Sequence, residues 1–439
     1  MPSHPWRLVA LTLLAGLLST RAATAITDGS ELSPDSIRAV LRTVARHQLE
    51  RFGPVHDGDY TSVASLAAAE AARPATGIAW NYPWGVTLYG VLRSTDATGD
   101  NSMLQWALEH NRVVARDYAW FEQVHQKVGN EAWQEFLRHN RKIPIGALLR
   151  LGNLDSCGSM GAEFMEGILR RPADAIPEQR AVGEAIADWI EHRQDRLPDG
   201  TLWRHASRDQ NGDWPAGTIW ADDLYMSCPF LVRWSEYTHD PRPLTDAAHQ
   251  VLQMAARLQD KDGVWFHGYS VPLKEHSPYK WGRANGWAMV AAAEVLSAMP
   301  EDHPDRAALL DEFRRHVAGV IKLQAPSGMW RQVLDHPELW EETSCTAMFA
   351  YAIARGVNRG WLPASDLTAA RKAFAALCAK EITPEGAVNG TCEGTNIGTT
   401  LAFYQDRKQP SDDLHGRGVV LLAGTELLNP PVDRSNAAR

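Results

Sequence analysis

The sequence predicts an all-α fold in which six helical hairpins close into an (α/α)6 barrel. Three observations support this fold class: a loop signature recurs at a nearly constant interval, an apolar helix follows each of these loops, and amphipathic helices alternate with the apolar ones. The alternation of Val, Ile and Thr that is typical of strands is confined to short pieces near the loops. We therefore expect helices in two layers and very little sheet.

The loop signature is a glycine followed closely by an aromatic residue and then by His or Arg. It occurs as DGTLWRH at Gly200, DGVWFHG at Gly263 and SGMWRQV at Gly328, at intervals of 63 and 65 residues. Looser echoes at Gly77 and Gly386 extend the period in both directions. This spacing leaves room for about six units, which is enough to close a ring without an exposed end.

Each unit consists of two helices of different character. Residues 240–259 and 303–324 have apolar positions at three- and four-residue spacing, which predicts amphipathic helices of an outer layer. Residues 288–296 and 347–354 are almost uniformly apolar and small, as expected of inner helices that are buried on most sides. Polar and aromatic residues stand at the starts of the inner helices. We expect them to converge at one mouth of the barrel, which is the candidate site.

The first 25 residues read as a secretory signal peptide. Arg7 supplies a basic start, residues 8–18 form an apolar core, and Ala23-Thr24-Ala25 is a small-residue cleavage site. No later stretch approaches the roughly 20 apolar residues that a membrane span requires. We therefore expect an exported protein, periplasmic or secreted, that does not span a membrane.

The rest of the chain reads as one catalytic domain at residues 26–428 and a short tail at 429–439. The sequence holds 44 basic and 53 acidic residues, a formal net charge of −9, which argues against nucleic acid or an anionic membrane as partner. The five cysteines do not suggest a disulfide framework. The motifs HExxH, paired CxxC, GxxxxGK[ST] and GxSxG are missing, so we predict neither a metal nor a cofactor.

Two carboxylates occupy matching places in successive units. Asp222 lies in WADDLYM and Asp155 lies in NLDSCGSMG, each just before a buried helix. Two such carboxylates would point at the same cavity, and a close pair raises the pKa of one member, which then serves as a proton donor. An isolated Asp at a helix start is also a common cap, and that alternative stays open. Asp223 points about 100° away and is expected to face a neighbour or solvent.

The segment WGRANGW contains Trp281, Arg283, Asn285 and Trp287. Arg283 and Trp287 are four residues apart and would share a helix face, where an Arg above an indole could clamp a carboxylate against a sugar ring. The alternative is a buried Arg that satisfies main-chain carbonyls.

Two histidines and several aromatic residues also occupy mouth positions. His205 and His267 follow their Gly–aromatic turns in matching places and could donate to sugar hydroxyls, although a purely structural role is equally compatible. Aromatic side chains in a cleft suit the faces of sugar rings. Those placed in the mouth loops are Trp80, Tyr82, Trp84, Trp203, Trp265 and Trp330. Of these, we assign Tyr82 and Trp84 to substrate binding.

At these residues the sequence resembles the unsaturated rhamnogalacturonyl hydrolases of glycoside hydrolase family 105, relatives of the unsaturated glucuronyl hydrolases. The resemblance runs through nearly all of the chain after the signal and departs at Ser156, where an acid is usual, and at Ala284, where Gly is usual. The segments that carry it are LDSCGSMG, DGTLWRH, WADDLYMSCPFL, WGRANGW, HPDR, ETSCTAMFAYAIARGV, GTNIGTTLAFY and DLHGRGVVLLAGTEL.

The resemblance implies an (α/α)6 barrel that removes a 4,5-unsaturated uronic acid from the non-reducing end of oligosaccharides left by polysaccharide lyases. It implies that Asp222 is the general acid and then the base, with Asp155 as its partner. By the same resemblance, the sugar site is lined by His205, Trp281, Arg283 and Trp287. We add His267, Asn285, Tyr82 and Trp84 to the predicted substrate-binding set.

The expected chemistry begins at the C4=C5 double bond, which is an enol ether. Protonation at C4 gives a cation shared between C5 and the ring oxygen, water adds at C5, and the hemiketal opens to release the next sugar. Two other functions remain open at this point: an inverting glycosidase that uses Asp155 and Asp222 on saturated sugars, and a carbohydrate-binding protein without activity. The sequence does not distinguish a galacturonate from a glucuronate substrate.

Overall fold

The described part of the chain covers residues 32–60, 65–140, 142–204 and 216–429 of a computed structural model. The predicted signal peptide, His205 and most of the predicted tail lie outside these residues. The last described helix ends at Leu428.

Most of the described structure is helical, and twelve of its helices lie in two layers. The outer layer holds α1 Pro34–Phe52, α4 Asn101–Val128, α8 Glu178–His192, α10 Arg242–Leu258, α12 Arg306–Lys322 and α14 Leu367–Lys380. The inner layer holds α3 Tyr82–Thr98, α7 Gly158–Arg170, α9 Cys228–Thr238, α11 Gly282–Ala298, α13 Thr343–Asn358 and α16 Leu414–Leu428. Shorter helices in the connections are α2 Leu66–Ala71, α5 Asn130–His139, α6 Gly146–Leu149 and α15 Leu401–Gln405.

The inner helices form a closed ring. Each packs against the next along the chain, and α16 packs against α3. Residues 282–296 of α11 are all buried, whereas α12 buries Leu309, Phe313, Val317 and Val320 at three- and four-residue spacing. This difference confirms the inner and outer assignments, and the closure confirms the predicted all-α barrel of six hairpins.

The Gly–aromatic loops share one backbone conformation. Gly263 and Gly328 have φ of 91° and 101°, a region that side chains rarely adopt. A Cβ on Gly263 would also lie 2.3 Å from the carbonyl oxygen of Arg315 in the next outer helix. The side chains of Gln259 and Gln324 donate to the carbonyls of these two glycines, at 3.0 and 2.8 Å. The repeat in sequence is therefore a repeat in structure, with glycine required by both φ and packing.

Short strands tie the mouth loops together. Three antiparallel pieces form one sheet, in which Ile219 pairs with Tyr269 and Tyr269 with His276. Trp330 pairs with Glu342 in a second, two-stranded sheet. The strands are β1 Thr218–Trp220, β2 Gly268–Ser270, β3 Glu275–His276, β4 Trp330–Arg331 and β5 Glu341–Glu342. As predicted, the strands found within the described ranges are short pieces beside the loops.

A ring of alternating charges lies toward the other end of the inner helices, away from the mouth. Each inner helix contributes one member, in the order Arg93, Glu166, Arg233, Glu294, Arg355 and Glu426. Neighbouring members form ion pairs at 2.7 to 3.5 Å from Arg93 through to Glu426. Three positive and three negative charges balance, so the apolar interior holds no net charge from this ring.

Glu294 shows how a member of the ring is held in place. It accepts hydrogen bonds from Arg233 at 2.8 Å, from Arg355 at 3.2 Å and from the hydroxyls of Tyr89 and Tyr351. Burial alone would favour the neutral acid, but the neighbouring arginines hold the pKa of Glu294 well below its usual range. The ring therefore fixes the relative positions of the six helices through charge-assisted hydrogen bonds.

All five cysteines are free and buried. None of the helices in the described ranges is long and apolar enough to cross a membrane. Across the same ranges, no group of three or more His, Cys, Asp or Glu side chains has an arrangement that could hold a metal ion.

Candidate active site

The candidate site lies where the inner helices begin. Tyr82 is the first residue of α3, and Trp281 and Asp413 are the N-caps of α11 and α16. Asp155 and Asp222 lie in short 3₁₀ turns just before α7 and α9. Because equivalent ends of adjacent inner helices face the same mouth, the fold brings the predicted residues together there.

Asp222 is not a helix cap. Its side chain accepts no backbone hydrogen bond, and its buried Oδ2 has no hydrogen-bond partner in the described structure. His267 Nε2, also buried and without a hydrogen bond, lies 3.3 Å from this oxygen. The indole nitrogen of Trp281 is a third buried polar atom without a partner, and its ring lies 4.6 Å from that of His267. Unpaired buried polar atoms are costly, so this cluster is suited to a polar ligand.

Tyr404 sets the proton position on His267. The Tyr404 oxygen lies 2.8 Å from His267 Nδ1 and already accepts the backbone N–H of Gly398 at 3.1 Å. Donation of the hydroxyl hydrogen to Nδ1 satisfies both groups, and in that arrangement the hydrogen of a neutral imidazole lies on Nε2, the atom that faces Asp222. Tyr404 was not among the predicted site residues, although it ends the segment GTNIGTTLAFY.

Asp155 is paired with an arginine that the sequence did not reveal. Arg204 lies 3.1 and 3.4 Å from the two oxygens of Asp155 and 2.7 Å from Asp223, and it stacks on the Trp220 ring at 4.3 Å. Asp223 is fully buried, and burial raises its pKa to about 6 against the opposing charge of Arg204. Asp155 and Asp222 both act electrostatically on Arg204, so the predicted carboxylate pair is part of a cluster centred on this arginine.

Arg283 does not clamp a substrate carboxylate over Trp287 but is a buried arginine that satisfies main-chain carbonyls. Its guanidinium donates to the carbonyls of Cys392 at 2.5 Å and Glu393 at 2.6 Å, and it stacks over Trp281 rather than Trp287. Trp287 is buried against Tyr225, with ring centroids 4.6 Å apart. The guanidinium turns toward the loop at residues 392–393 because that loop offers carbonyl acceptors. The spacing of residues within one helix does not reveal an acceptor from a distant segment.

Asn285 does not face the mouth as predicted. Its amide oxygen accepts from the backbone N–H of Trp265 at 2.7 Å and lies 3.0 Å from His316 Nε2. Its amide nitrogen donates to the carbonyls of Trp265 and Trp281, both at 2.9 Å. All of its hydrogen-bonding capacity holds the Gly263 loop against α11, so it has none left for substrate.

Trp84 is also a packing residue. Its indole N–H donates to His110 Nε2 at 3.0 Å, and its ring packs against Phe52 and Trp106. It faces the outer layer because its neighbour Tyr82, two residues earlier, takes the mouth-facing position of the first turn.

Tyr82 lies at the mouth as predicted, in a chain with two residues that were not. Its hydroxyl is 2.7 Å from His415 Nε2, and His415 Nδ1 is 2.5 Å from Asp413. Burial and the nearby Arg283 charge lower the pKa of His415, so its neutral ring donates to Asp413 and accepts from Tyr82. The charges of Asp155 and Asp222 reach Tyr82 as well. Asp413 and His415 begin the last inner helix, and that position was the signal available in the sequence.

Comparison with known proteins agrees with this geometry. Residues 67–430 match the protein-family model described as Glycosyl Hydrolase Family 88. The chain belongs to this family. It is therefore a glycoside hydrolase, and the resemblance noted in the sequence is confirmed.

Three similar proteins illustrate the range of this group. An Agrobacterium fabrum protein is 32% identical over 230 residues, which are 46% of this chain and 98% of that protein. The unsaturated 3S-rhamnoglycuronyl hydrolase of an Alteromonas species is 28% identical over 218 residues, so the match covers 48% of this chain and 51% of that relative. A possible family 105 member from Salmonella enterica has a TM-score of 0.66 at 23% identity, covering 92% of this chain and 96% of that structure.

Proposed function

We propose that this protein removes a 4,5-unsaturated uronic acid from the non-reducing end of oligosaccharides produced by polysaccharide lyases. The observation that carries the proposal is the cluster of unpaired polar atoms on Asp222, His267 and Trp281 at the barrel mouth. The family match and the name of the Alteromonas relative support the substrate class. The proposed reaction uses an acid and water.

In the proposed mechanism, Asp222 in its neutral form donates a proton to C4 of the unsaturated ring. The electrons of the C4=C5 bond form the new C–H bond, and the ring oxygen shares the positive charge that develops at C5. The Asp222 carboxylate then takes a proton from water as the water oxygen bonds to C5. This proton makes Asp222 neutral again. The hemiketal at C5 then opens to a ketone and leaves a hemiacetal at C1. The hemiacetal collapses to an aldehyde as the bond from C1 to the oxygen of the next sugar breaks, and the hemiacetal hydroxyl proton passes to that leaving oxygen.

His267 and Arg204 position the acid and its surroundings in this proposal. The Nε2–H of His267 faces Asp222 Oδ2, so it stabilises the carboxylate after proton transfer. Arg204 holds Asp155 through both carboxylate oxygens, which fixes Asp155 as an acceptor for the ring hydroxyls. Tyr82 and Trp281 complete the wall of the site with a hydroxyl and an indole N–H.

The function is tested with lyase digests of pectin, ulvan and glycosaminoglycan, each followed by the ultraviolet absorbance of the C4=C5 bond. We expect loss of absorbance with at least one digest and none with the matched saturated oligosaccharides. Equal turnover of saturated and unsaturated uronosides would instead support an ordinary glycosidase, and tight binding without product would support a binding protein. The digest with the highest kcat/KM identifies the uronic acid.

We further propose that the protein is exported, because residues 1–25 have the charge, apolar core and small-residue end of a signal peptide. Mass spectrometry of protein recovered outside the cytoplasm tests this. A chain that begins at Ile26 is the expected result, and an unprocessed chain retained in the cytoplasm would contradict it.

A further inference from the structure

The chain of hydrogen bonds from Asp413 through His415 to Tyr82 has one direction. An ionised Asp413 carboxylate can only accept, and it lies 2.5 Å from His415 Nδ1. The hydrogen of a neutral His415 ring therefore lies on Nδ1, and the bare Nε2 accepts the hydroxyl hydrogen of Tyr82 at 2.7 Å. Any further group that binds the Tyr82 oxygen must donate a hydrogen to it.

The surrounding charges favour these two protonation states. Burial lowers the pKa of His415 and the charge of Arg283 adds to this effect, while Asp413 and Glu342 oppose it. Burial acts to raise the pKa of Asp413, but the hydrogen bonds from His415 and the charge of Arg283 outweigh it and hold that pKa below its usual range. Near neutral pH the pair is thus a neutral imidazole on a carboxylate.

The turn before α16 places the Asp413 carboxylate beside the His415 ring. Asp413 caps α16 by accepting the backbone N–H of His415 at 2.9 Å. Its neighbour Asp412 has a φ of 56°, and Arg417 holds the Asp412 carboxylate at 2.8 Å. Asp100 caps α4 through two backbone N–H groups, so a cap by itself needs no imidazole. The bond to Nδ1 is an addition to the capping role.

The Tyr82 hydroxyl borders open space at the mouth. Tyr82 is partly exposed. A Cβ built on Gly394 would lie 3.6 Å from the Tyr82 oxygen and, apart from chain neighbours, within 4 Å of no other described residue. Burial raises the pKa of Tyr82, and the charges of Asp155 and Asp222 add to the rise. The hydroxyl therefore lies in the field of both active-site carboxylates, with room for a ligand beside it.

We propose that Asp413 and His415 are positioning residues, which hold the Tyr82 oxygen as the acceptor for a hydroxyl hydrogen of the unsaturated sugar. In that sugar C4 and C5 share the double bond, C6 is a carboxylate and C1 carries the leaving group, so the hydroxyls at C2 and C3 are the donors. An ether, ester or sulfate at the hydroxyl that meets Tyr82 removes the hydrogen, so the site selects the unsubstituted ring. This inference rests on the proposed function, because it assigns a contact within that substrate.

Nitrogen NMR of protein labelled in its histidine rings tests the direction of the chain without any substrate. Bare and protonated ring nitrogens have widely separated signals, and those lost in His415→Phe or shifted in Tyr82→Phe belong to His415. We expect a protonated Nδ1 and a bare Nε2 at neutral pH. A hydrogen on Nε2, with or without one on Nδ1, would overturn the proposal.

A double-mutant cycle tests whether His415 acts through Tyr82. For an unsaturated uronyl disaccharide we expect Tyr82→Phe and His415→Phe each to raise KM about tenfold with little change in kcat, and the double variant to raise it no further. A double variant whose KM change is the product of the two single changes, or an unchanged KM in Tyr82→Phe, would contradict the proposal. Tyr237→Phe, at the other end of α9, is the control and should leave KM unchanged.

The hydroxyl that meets Tyr82 is identified with the 2-O-methyl and 3-O-methyl ethers of the same disaccharide. We expect one ether to have a KM about tenfold above that of the unmodified sugar, and Tyr82→Phe to abolish most of this difference. An equal difference in the parent protein and in Tyr82→Phe would show that Tyr82 is not the acceptor.

Asp413→Asn separates positioning from capping. Asn is a good N-cap, so α16 keeps its cap, but an amide no longer requires the ring hydrogen on Nδ1. We expect a higher KM for the disaccharide in Asp413→Asn and an unchanged KM in the matched cap variant Asp100→Asn. An unchanged KM in both would mean that Asp413 only caps its helix, against the proposal.

A failure of the proposed function can be told apart from a failure of this inference. If the parent protein consumes no unsaturated disaccharide, the proposed function fails, and the cycle is measured on the binding of a saturated uronyl disaccharide by calorimetry. Coupled losses of affinity in Tyr82→Phe and His415→Phe then support the acceptor, and independent losses overturn it.

Discussion

His267 Nε2 lies 3.3 Å from Asp222 Oδ2, and both atoms are buried without a hydrogen bond in the described structure. The Tyr404 hydroxyl lies 2.8 Å from Nδ1 on the other side of the imidazole, and by donating to that atom it favours the tautomer with the hydrogen on Nε2. Three mouth segments that are far apart in sequence thus meet at one carboxylate. In the proposed reaction this arrangement stabilises the Asp222 carboxylate after it has given its proton to C4.

Tyr404→Phe should lower kcat at least about tenfold with little change in KM, because the imidazole hydrogen is then free to move to Nδ1. The measurement is steady-state turnover of an unsaturated uronyl disaccharide. Tyr279→Phe is the control, since the Tyr279 ring lies 5.6 Å from that of Tyr404 and does not touch Asp222. A parallel rise in KM with unchanged kcat would show that Tyr404 acts on binding instead.

Glu163→Gln should make the stability of the protein less sensitive to a rise in pH between about pH 4.5 and 8. Burial raises the pKa of Glu163 to about 8, and its Oε1 accepts a hydrogen bond from Asn111 at 2.9 Å. In the unfolded chain this acid ionises near pH 4.5, so between about pH 4.5 and 8 the folded state binds more protons and stability falls as pH rises. One such group contributes a slope of about 1.4 kcal/mol per pH unit. Urea unfolding at several pH values should show that slope reduced in the variant and unchanged in the exposed control Glu131→Gln.

Glu294→Gln should destabilise the barrel by about 3 kcal/mol, because it leaves two buried arginines without their shared carboxylate. Chemical denaturation measures this loss. The control is Glu301→Gln, whose side chain is 80% exposed beside Arg306 and should cost less than about 1 kcal/mol. Because the ring lies away from the mouth, turnover below the unfolding transition should remain near that of the parent protein. Equal destabilisation by the two substitutions would mean that the ring contributes no more than a surface pair.

The repeat could be predicted because its cause is local. A glycine with positive φ, followed within three residues by a tryptophan, marks three places where an outer helix turns back into the barrel, at Gly200, Gly263 and Gly328. The placement of Asp155 and Asp222 at the mouth could be predicted for the same reason, since each stands just before an inner helix. Once the ring closes, equivalent positions face one mouth.

The hydrogen-bonding partners of several site residues could not be predicted, because those partners lie in segments that are distant in sequence. Arg283 turns to carbonyls at 392 and 393, more than 100 residues away, and Trp84 finds His110 in the next outer helix. Asn285 makes four contacts with loop backbone and His316, which the segment WGRANGW does not show. For that reason the sequence predicts a substrate-binding role that the structure does not support. The sequence does contain a sign of the ring of alternating charges. A single charge toward the end of an apolar helix, as at Glu294 and Arg355, needs a buried partner.

Turnover by Asp222→Asn tests the central claim most directly. The account predicts that kcat/KM for an unsaturated uronyl disaccharide, followed by loss of absorbance, falls at least about a hundredfold. The unfolding temperature should match that of the parent, and the exposed control Asp311→Asn should keep full activity. Turnover within a few-fold of the parent by Asp222→Asn would contradict the assignment of Asp222 as the acid that protonates C4.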